Sequence, residues 1–476
     1  LQTFVRNRRI FDTGVHYLGG LDRGQNLHRY FRYLGIADQL QLKRMDPDGF
    51  DKITFDGDPN EYPYAQGGAN FVEQLSRYFP HERTGIEHYL SRMKDTCQRF
   101  PLYRLDSDSV YSLDETLLST SVADVIRSCT ADGKLRAVLA GTNLLYAGDA
   151  ETTPFYVHAL SVHSYIESAW RCIKGGGQIA RLLVQELRKH GGKILKYKEV
   201  TAFHIEDGLL QSVSTKDGYT FRASTFISNI DPKKTLDLIG DYPIRKNYVQ
   251  HIRSARQTIS AFSLYLSLKP GRVPYRNCNF YHFREERSVW DSIRYRPEEW
   301  PSSYMLSMNP APDDRWAESM TAFTYMHYDE VGQWAHTRNT VAEAGPRGED
   351  YERFKQEKAA RLLDALSAKF PGLQDHVDAV HASTPLTYRD YIGSETGSMY
   401  GFAKDIRQPL KNTLPPRTKI RNLLLTGQSI NMHGLLGVTI GAVLTCSELL
   451  GKTYLLEKIN QANQYEPLTI DSYGHV

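Results

Sequence analysis

The chain has 476 residues, 41% of them apolar and 24% charged, with a formal charge of +3. That length accommodates two or three domains or one large two-lobed enzyme, and the composition is ordinary for a globular protein. So small a charge, with basic residues scattered and no aromatic–basic stripe, gives no electrostatic drive toward nucleic acid.

The five cysteines (Cys97, Cys129, Cys172, Cys278 and Cys446) are odd in number and include no C-x-x-C. This spacing argues against a disulfide framework or a metal site and for a reducing, cytoplasmic setting. No signal peptide opens the chain. The longest apolar run, near residues 435–446, is shorter than the roughly 20 residues a membrane span needs. Peripheral membrane contact remains compatible with the composition. Leu1 reads as the continuation of something rather than a start.

In chain order, residues 9–21 read as a short strand, a turn and a glycine-rich loop. Helical patterns follow at residues 68–78 and 85–100, then at 155–171. Gly175-Gly176-Gly177 breaks the chain before an amphipathic helix over 178–190, which Gly191-Gly192 stops. Three strands are predicted at 193–206, 209–215 and 219–228, separated by the turn pairs Asp207-Gly208 and Asp217-Gly218. Strand-like alternation recurs at 258–268 and 320–326, and residues 349–370 predict a charged amphipathic helix. Finally, Leu423-Leu424-Leu425 predicts a buried strand. After a polar loop comes a glycine-studded helix over about 436–450, closed by Gly451 and uncharged until Glu448. Such a helix is expected to be buried on nearly all sides.

Two glycine segments invite a ligand. Gly175 to Ala180 fits G-x-G-x-x-A, with Glu199 some twenty residues on, a superficial dinucleotide fingerprint. The fingerprint needs a buried apolar strand just before it, and residues 168–174 do not read as one. The expectation is a tight loop that starts a helix and lets the backbone approach something closely. In the second segment, glycines at 427, 434, 437 and 441 flank the start of the C-terminal helix. Free N–H groups there favour an anion, and small residues admit a flat ligand.

Asp12-x-Gly14-x-His16, the 175–177 glycines opening a helix, Lys198-Glu199-Val200 opening the meander, and Leu425-Thr426-Gly427-Gln428 before Gly434-x-x-Gly437 occur in one order. In that order the chain resembles the carotenoid isomerase, phytoene desaturase and retinol saturase group of FAD enzymes. These fall within the wider amine-oxidase-like flavoproteins. The resemblance spans the whole chain but is motif-dense only near 1–20, 170–232 and 385–451.

The resemblance implies an α/β (α+β) fold: an FAD/NAD(P)-binding Rossmann-like flavoprotein fold with an inserted mixed α/β substrate domain. The family's first βαβ unit, with its phosphate fingerprint and ribose acid, is expected to be missing, as in a fragment that binds FAD poorly. Residues 1–25, 166–244 and 385–476 would form the FAD-binding domain, and 26–165 with 245–384 the substrate domain. Near the flavin the resemblance puts Leu1 to Thr3 and the loop carrying Asp12, Gly14 and His16. Val200 would meet the adenine through its backbone, and Ser228 and Asn229 would approach the cofactor. Gly427 and Gln428 would sit by the pyrophosphate and ribityl chain, and Gly437, Val438 and Thr439 would begin the helix beneath the flavin ring.

The implied substrate is an apolar polyene in a tunnel. A minority of Phe155, Tyr156, Tyr165, Trp170, Phe280, Tyr281, Tyr304 and Tyr325 would line it. The flavin supplies hydride chemistry at N5, so desaturation, saturation and isomerisation are all open. Saturation needs a proton donor, for which His16, Tyr391 and Tyr400 are the candidates. A flavin amine oxidase-like enzyme, or a non-enzymatic escort of lipidated proteins on the same fold, are the competing readings.

Overall fold

The computed structural model describes residues 2–106 and 115–464. Strands occur at Thr3–Arg6 (β1), Arg9–Asp12 (β2), Leu18–Gly19 (β3), Leu42–Arg44 (β4), Asp51–Phe55 (β5), Tyr62–Tyr64 (β6) and Ala169–Cys172 (β7). They continue at Val200–Glu206 (β8), Leu209–Thr215 (β9), Thr220–Arg222 (β10), Phe226–Ser228 (β11) and Ser260–Leu268 (β12). The last are Asn279–Phe283 (β13), Ser303–Pro310 (β14), Ala317–Met326 (β15), Val377–Ser383 (β16) and Leu423–Leu425 (β17).

The largest sheet has seven strands in the order β16-β12-β15-β14-β13-β5-β6. Its pairs are antiparallel except β13–β5. Residues 51–64 and 260–383 therefore contribute to one sheet, although some 200 positions of sequence separate them. Side chains alternate between its faces. One face presents Phe262 and Phe280, which meet Trp300 and Phe370 edge-on at ring separations of 5.5 and 5.2 Å. The other presents Tyr64, Tyr281 and Tyr325 and lies against residues 138–147. There the Tyr64 hydroxyl donates to Val138 O (3.1 Å) and the Tyr325 hydroxyl to Leu144 O (2.8 Å).

Four smaller sheets surround this body. The β1–β2 hairpin packs Phe4 and Phe11 onto Tyr265 of β12. The β3-β7-β4 sheet is antiparallel, the β8-β9-β10 meander follows, and β11 pairs in parallel with β17. The helix Gly434–Leu450 leaves β17 and is tied back to it by the Thr445 hydroxyl, which donates to Leu425 O at 2.9 Å.

Most elements fall where the periodicity puts them, with three corrections. The helix at 155–171 stops at Glu167, and Ala169–Cys172 becomes a largely buried strand, so a strand does precede the 175–177 glycines. Both of its partners are antiparallel, which is not the parallel βαβ setting of a phosphate fingerprint. The meander's first strand starts at Val200, not 193, and its third is split. Residues 220–222 stay with β9 while 226–228 cross to β17. The Asn422 amide sits at that crossing and donates to Leu210 O (3.0 Å) and Ser224 O (3.2 Å).

The third correction concerns the C-terminal helix. Only Gly441 and Thr445 in it are buried, and Ala442, Leu449 and Leu450 are exposed. Its lack of charge therefore does not report enclosure by protein. The helix meets its neighbours through Leu435, Leu436, Ile440, Val443 and Leu444, which pack against apolar clusters around Leu27, Tyr30 and Ile179.

One close approach fixes how β3 meets the helix Phe155–Glu167. A Cβ on Gly19 would lie 2.6 Å from the Ser164 carbonyl carbon, Ser164 Oγ and Tyr165 N. Backbone atoms cannot retreat as a flexible side chain can, so Gly19→Ala is expected to lose about 1–3 kcal/mol of stability. Thermal unfolding checks this: the variant should melt several degrees below the parent.

Candidate active site

The 175–177 glycines accept close approach by this chain's own side chains. A Cβ on Gly175 would lie 2.9 Å from Thr3 Cγ2, one on Gly176 3.0 Å from Val15 Cβ, and one on Gly177 2.8 Å from Thr3 Oγ1. Asp12, paired with Thr3 across the hairpin, accepts the Gly176 N–H at 2.8 Å. Thr3 and Asp12 thus brace the glycine loop, which is the tight, closely approached loop the sequence suggests. Burial raises the Asp12 carboxyl to about 6, against the Gly176 hydrogen bond and nearby Arg171, which pull it down. Leu1 lies outside the described residues.

From Asp12 the chain runs through exposed Gly14 to His16 and Tyr17, over the inner face of the large sheet. His16 stacks on Phe323 (centroids 6.1 Å apart), with Nδ1 3.5 Å from Ser307 Oγ. Burial and Arg171 depress it to about 4, so it is neutral at pH 7. Tyr17 is anchored more firmly. Its hydroxyl lies 2.8 Å from Asp51 Oδ2 and 2.7 Å from the Tyr281 hydroxyl, and its ring stacks on Tyr165 at 4.2 Å.

Beneath this loop the strand registers place a polar row. Asp51 of β5 faces Asn279 of β13, which faces Ser307 of β14, which faces Thr321 of β15. Asn279 Nδ2 donates to Asp51 Oδ1 at 2.8 Å, and Arg171 donates to Asn279 Oδ1 (3.0 Å) and to His16 O (3.2 Å). Arg171 is only 4% exposed, and its Nε has no partner. Burial lifts the Asp51 carboxyl to about 7 despite the bonds from Asn279 and Tyr17.

A second group forms at the start of the C-terminal helix. His433 precedes Gly434, packs its ring 4.6 Å from that of Tyr400, and lies 3.0 Å from Leu145 O through Nε2. Burial lowers His433 to about 4. The Tyr400 hydroxyl donates to Leu144 O at 2.6 Å, and burial raises its pKa. Tyr391, in contrast, is 43% exposed, and its hydroxyl accepts the Val341 N–H. Of the three candidate proton donors, His16 and Tyr400 line the buried region and Tyr391 stands apart from it.

The remaining expected residues divide between two places. Ser228, Asn229, Gly427 and Gln428 meet at the C-terminal end of the parallel β11–β17 pair, where ligands of open α/β sheets bind. Thr426 N donates to Ser228 O at 2.9 Å, and at φ 106° a Cβ on Gly427 would strike Asn229 Oδ1 at 2.4 Å. Val15, from residues 12–16, and Leu435 and Leu436, at the start of the C-terminal helix, pack against one apolar cluster that includes Leu18, Leu27 and Ile179. Gly437 is required by Met432, whose Cβ would lie 2.9 Å from an added Cβ, and the Thr439 hydroxyl turns back to Leu435 O. Val438 is half-buried beside them. Val200 sits on the meander opposite Thr215. Lys198 pairs with Asp217 and Glu199 with Arg338, so no hydrogen bond or ion pair joins 198–200 to 12–16 or 427–439 among the described residues.

The sheet's alternation also sorts the aromatics expected around a tunnel. Tyr281 and Tyr325 lie on the His16 face, with Tyr165 over Tyr17. Phe280 and Tyr304 lie on the opposite face, where a cleft of about 300 Å³ is lined by Asp56, His282, Arg284, Trp300 and Tyr304. That cleft is on the wrong side of the sheet for residues 12–17. Phe155 and Tyr156 are buried core, and Trp170 donates to Asp22. The sequence missed Tyr17, Asp51, Arg171, Asn279 and His433. One signal was available: Asp51 alternates with Ile53 and Phe55, an acid at an inward strand position.

No protein-family model matches the chain. Among curated relatives, the human all-trans-retinol 13,14-reductase is 26% identical, aligned over 94% of this chain and 79% of its own length. Prolycopene isomerase 1 of an Oncidium hybrid cultivar is 24% identical over 82% of this chain and 67% of its own. The neurosporene-forming phytoene desaturase of Cereibacter sphaeroides is 21% identical over 87% and 79%. The chain is a homologue of these retinoid and carotenoid enzymes. Among solved structures, an oxidoreductase from Methanosarcina mazei superposes with a TM-score of 0.55 at 14% identity, covering 92% of this chain and 87% of that one. Cyclohexylamine oxidase from Brevibacterium oxydans gives 0.53 at 14%, covering 95% and 88%. The mixed helix-and-sheet fold expected from the motifs is thus the one observed, shared with amine-oxidase-like oxidoreductases.

The two buried acids make stability depend on pH with a definite sign. Folded Asp12 and Asp51 bind their protons more tightly than at the ordinary 3.8. The folded state therefore holds more protons than the unfolded one between about pH 4 and 7, and stability falls as pH rises through that window. Asp12 alone accounts for about 3 kcal/mol. Denaturant unfolding of Asp12→Asn should show a shallower decline between pH 4 and 6 than the parent.

Proposed function

We propose that the chain is an FAD-dependent oxidoreductase acting on the C–C or C=C bonds of an apolar polyene, as its retinoid and carotenoid relatives suggest. The observation that carries the reading is that the 12–17 loop, lying over a buried polar row, and the start of the C-terminal helix pack against one apolar cluster. Residues 1–25, 166–244 and 385–476 would bind the cofactor, and 26–165 with 245–384 the substrate.

The local geometry fits the flavin end of FAD. A Cβ on Gly14, Gly434 or Gly441 would meet nothing within 4 Å. The helix beginning at Gly434 has no side-chain cap, so its first N–H groups and positive dipole end are free for an anionic group. Gly14, His16 and the 434–441 turns would hold the ring, with Gly427, Gln428, Ser228 and Asn229 toward the diphosphate chain and Val200 toward the adenine. Bound flavin would supply hydride transfer. The protein's part is to seat a polyene against Phe323, Tyr325 and Tyr165, exclude water, and handle protons. His16 and His433, both neutral at pH 7, offer hydrogen bonds without charge.

No group of three or more His, Cys, Asp or Glu side chains that could hold a metal occurs among the described residues. No helix among them is long and apolar enough to cross a membrane. We place the protein in the cytoplasm, taking its apolar substrate from a membrane surface by peripheral contact.

Purified as its complete gene product, the protein should be yellow, with flavin absorbance, and should consume all-trans-retinol or a carotene when its flavin is cycled. A flavin-free preparation would contradict the reading. Peroxide release with amines instead of polyene turnover would move it to the amine oxidases. A Cβ at Gly14 meets no protein atom within 4 Å, so the larger side chain of Gly14→Leu should take up flavin space and weaken FAD binding at least about tenfold, a loss of about 1.4 kcal/mol. The melting temperature of the flavin-free protein should stay unchanged.

A further inference from the structure

We infer that Asp51, Tyr17 and Tyr281 form a proton relay that delivers or removes the proton accompanying hydride transfer at the proposed site. This rests on the flavin–polyene reading and names the acid–base machinery that reading lacks. A C=C bond reduced by a hydride also needs a proton, and a C–C bond oxidised by hydride loss must give one up. None of the three candidate donors is well suited. His16 is neutral, Tyr400 is committed to Leu144 O, and Tyr391 is on the surface.

The relay is continuous. Asp51 Oδ2 lies 2.8 Å from the Tyr17 hydroxyl, which lies 2.7 Å from the Tyr281 hydroxyl. All three residues are at most 4% exposed. Asp51 has no ion-pair partner among the described residues, and its other oxygen is held by Asn279. The groups facing it are Tyr17, Asn279 and Tyr281, with Arg171, Tyr64 and Tyr165 acting at longer range. Arg171 is the one charged group among them, and it contacts Asn279 and His16 O, not the carboxylate. The carboxyl is thus free to change protonation without breaking an ion pair.

Two polarities of the same chain follow from the donor inventory. With Asp51 protonated, its O–H donates to Tyr17, Tyr17 donates to Tyr281, and the Tyr281 O–H is free to act as an acid. With Asp51 ionised, Tyr17 donates to Asp51, Tyr281 donates to Tyr17, and Tyr281 presents a lone pair. In the saturating direction the Tyr281 O–H bond breaks as the substrate C–H bond forms. Tyr17 then returns a proton to Tyr281, Asp51 returns one to Tyr17, and the charge comes to rest on the Asp51 carboxylate. Electrons move only with the hydride, from reduced flavin. In the desaturating direction every transfer reverses. Between turnovers Asp51 is recharged along the same chain when the site opens to water.

The test pairs a spectrum with a rate. In the flavin-free protein, the infrared difference between parent and Asp51→Asn should isolate one buried protonated carboxyl that titrates near neutrality, separate from those of Asp12 and Glu167. Asp51→Asn should abolish that band. Tyr17→Phe should move its midpoint to higher pH, because the lost hydrogen bond favoured the carboxylate. In the flavin-loaded enzyme reducing all-trans-retinol, Tyr17→Phe should lower kcat by about 10²–10⁴-fold, with KM little changed. Kcat of Tyr17→Phe within threefold of the parent overturns the relay, as does an Asp51→Asn spectrum identical to the parent's. Should the loaded parent turn over no polyene, the functional reading falls. The relay is then judged by the spectrum alone: a Tyr17→Phe shift supports it and an unmoved midpoint overturns it.

Discussion

Residues 12–17 are held between two buried carboxylates, and the proposed site depends on that suspension. At one end Asp12 accepts the Gly176 N–H, fixing the loop to the turn that starts the helix Gly177–Lys189. At the other, Tyr17 reaches Asp51 on the large sheet. Neither carboxylate has an ion-pair partner within 4 Å among the described residues, so both are raised by burial, to about 6 and about 7. Buried charge without a partner is unfavourable, and the fold tolerates it where the loop must stay in place. Between the anchors lie Gly14 and His16, so the anchoring leaves room and a neutral imidazole in the middle.

The sheet supplies the other half of the geometry. Because side chains alternate strictly, one inward face can carry both a polar row, Asp51–Asn279–Ser307–Thr321, and a neighbouring row with Tyr281 and Phe323. A one-residue slip in any of these strands would turn its polar member to the other face. The arrangement suits an apolar substrate that needs protons at one edge only. The relatives differ in chemistry, reducing, isomerising or desaturating. A relay that runs in either direction is one way a common scaffold could support such a range.

Local structure was legible where the periodicity was strong. The strands at 209–215, 260–268, 317–326 and 423–425 and the helices at 83–98, 177–189 and 349–369 all announce themselves by spacing and glycine stops. The strand Ala169–Cys172 did not, because its four residues include Trp170 and Arg171 and continue a helical pattern from 155. The C-terminal helix misled in the opposite way: its apolar composition suggested enclosure, yet only Gly441 and Thr445 in it are buried. The glycine segments pointed correctly to close approach, but not to what approaches. At 175–177 it is Thr3, Asp12 and Val15. The polar network was out of reach because its bonds join residues 34, 228 and 264 positions apart, and no local spacing encodes such contacts.

Photolabelling with 8-azido-FAD, followed by peptide mapping of the labelled protein, asks directly whether the 12–17 loop and the start of the C-terminal helix form one flavin pocket. Label should appear on peptides spanning residues 12–18 and 427–441 and be competed away by unmodified FAD. Competable label confined to other segments, such as the 282–304 cleft on the far face of the sheet, would contradict it.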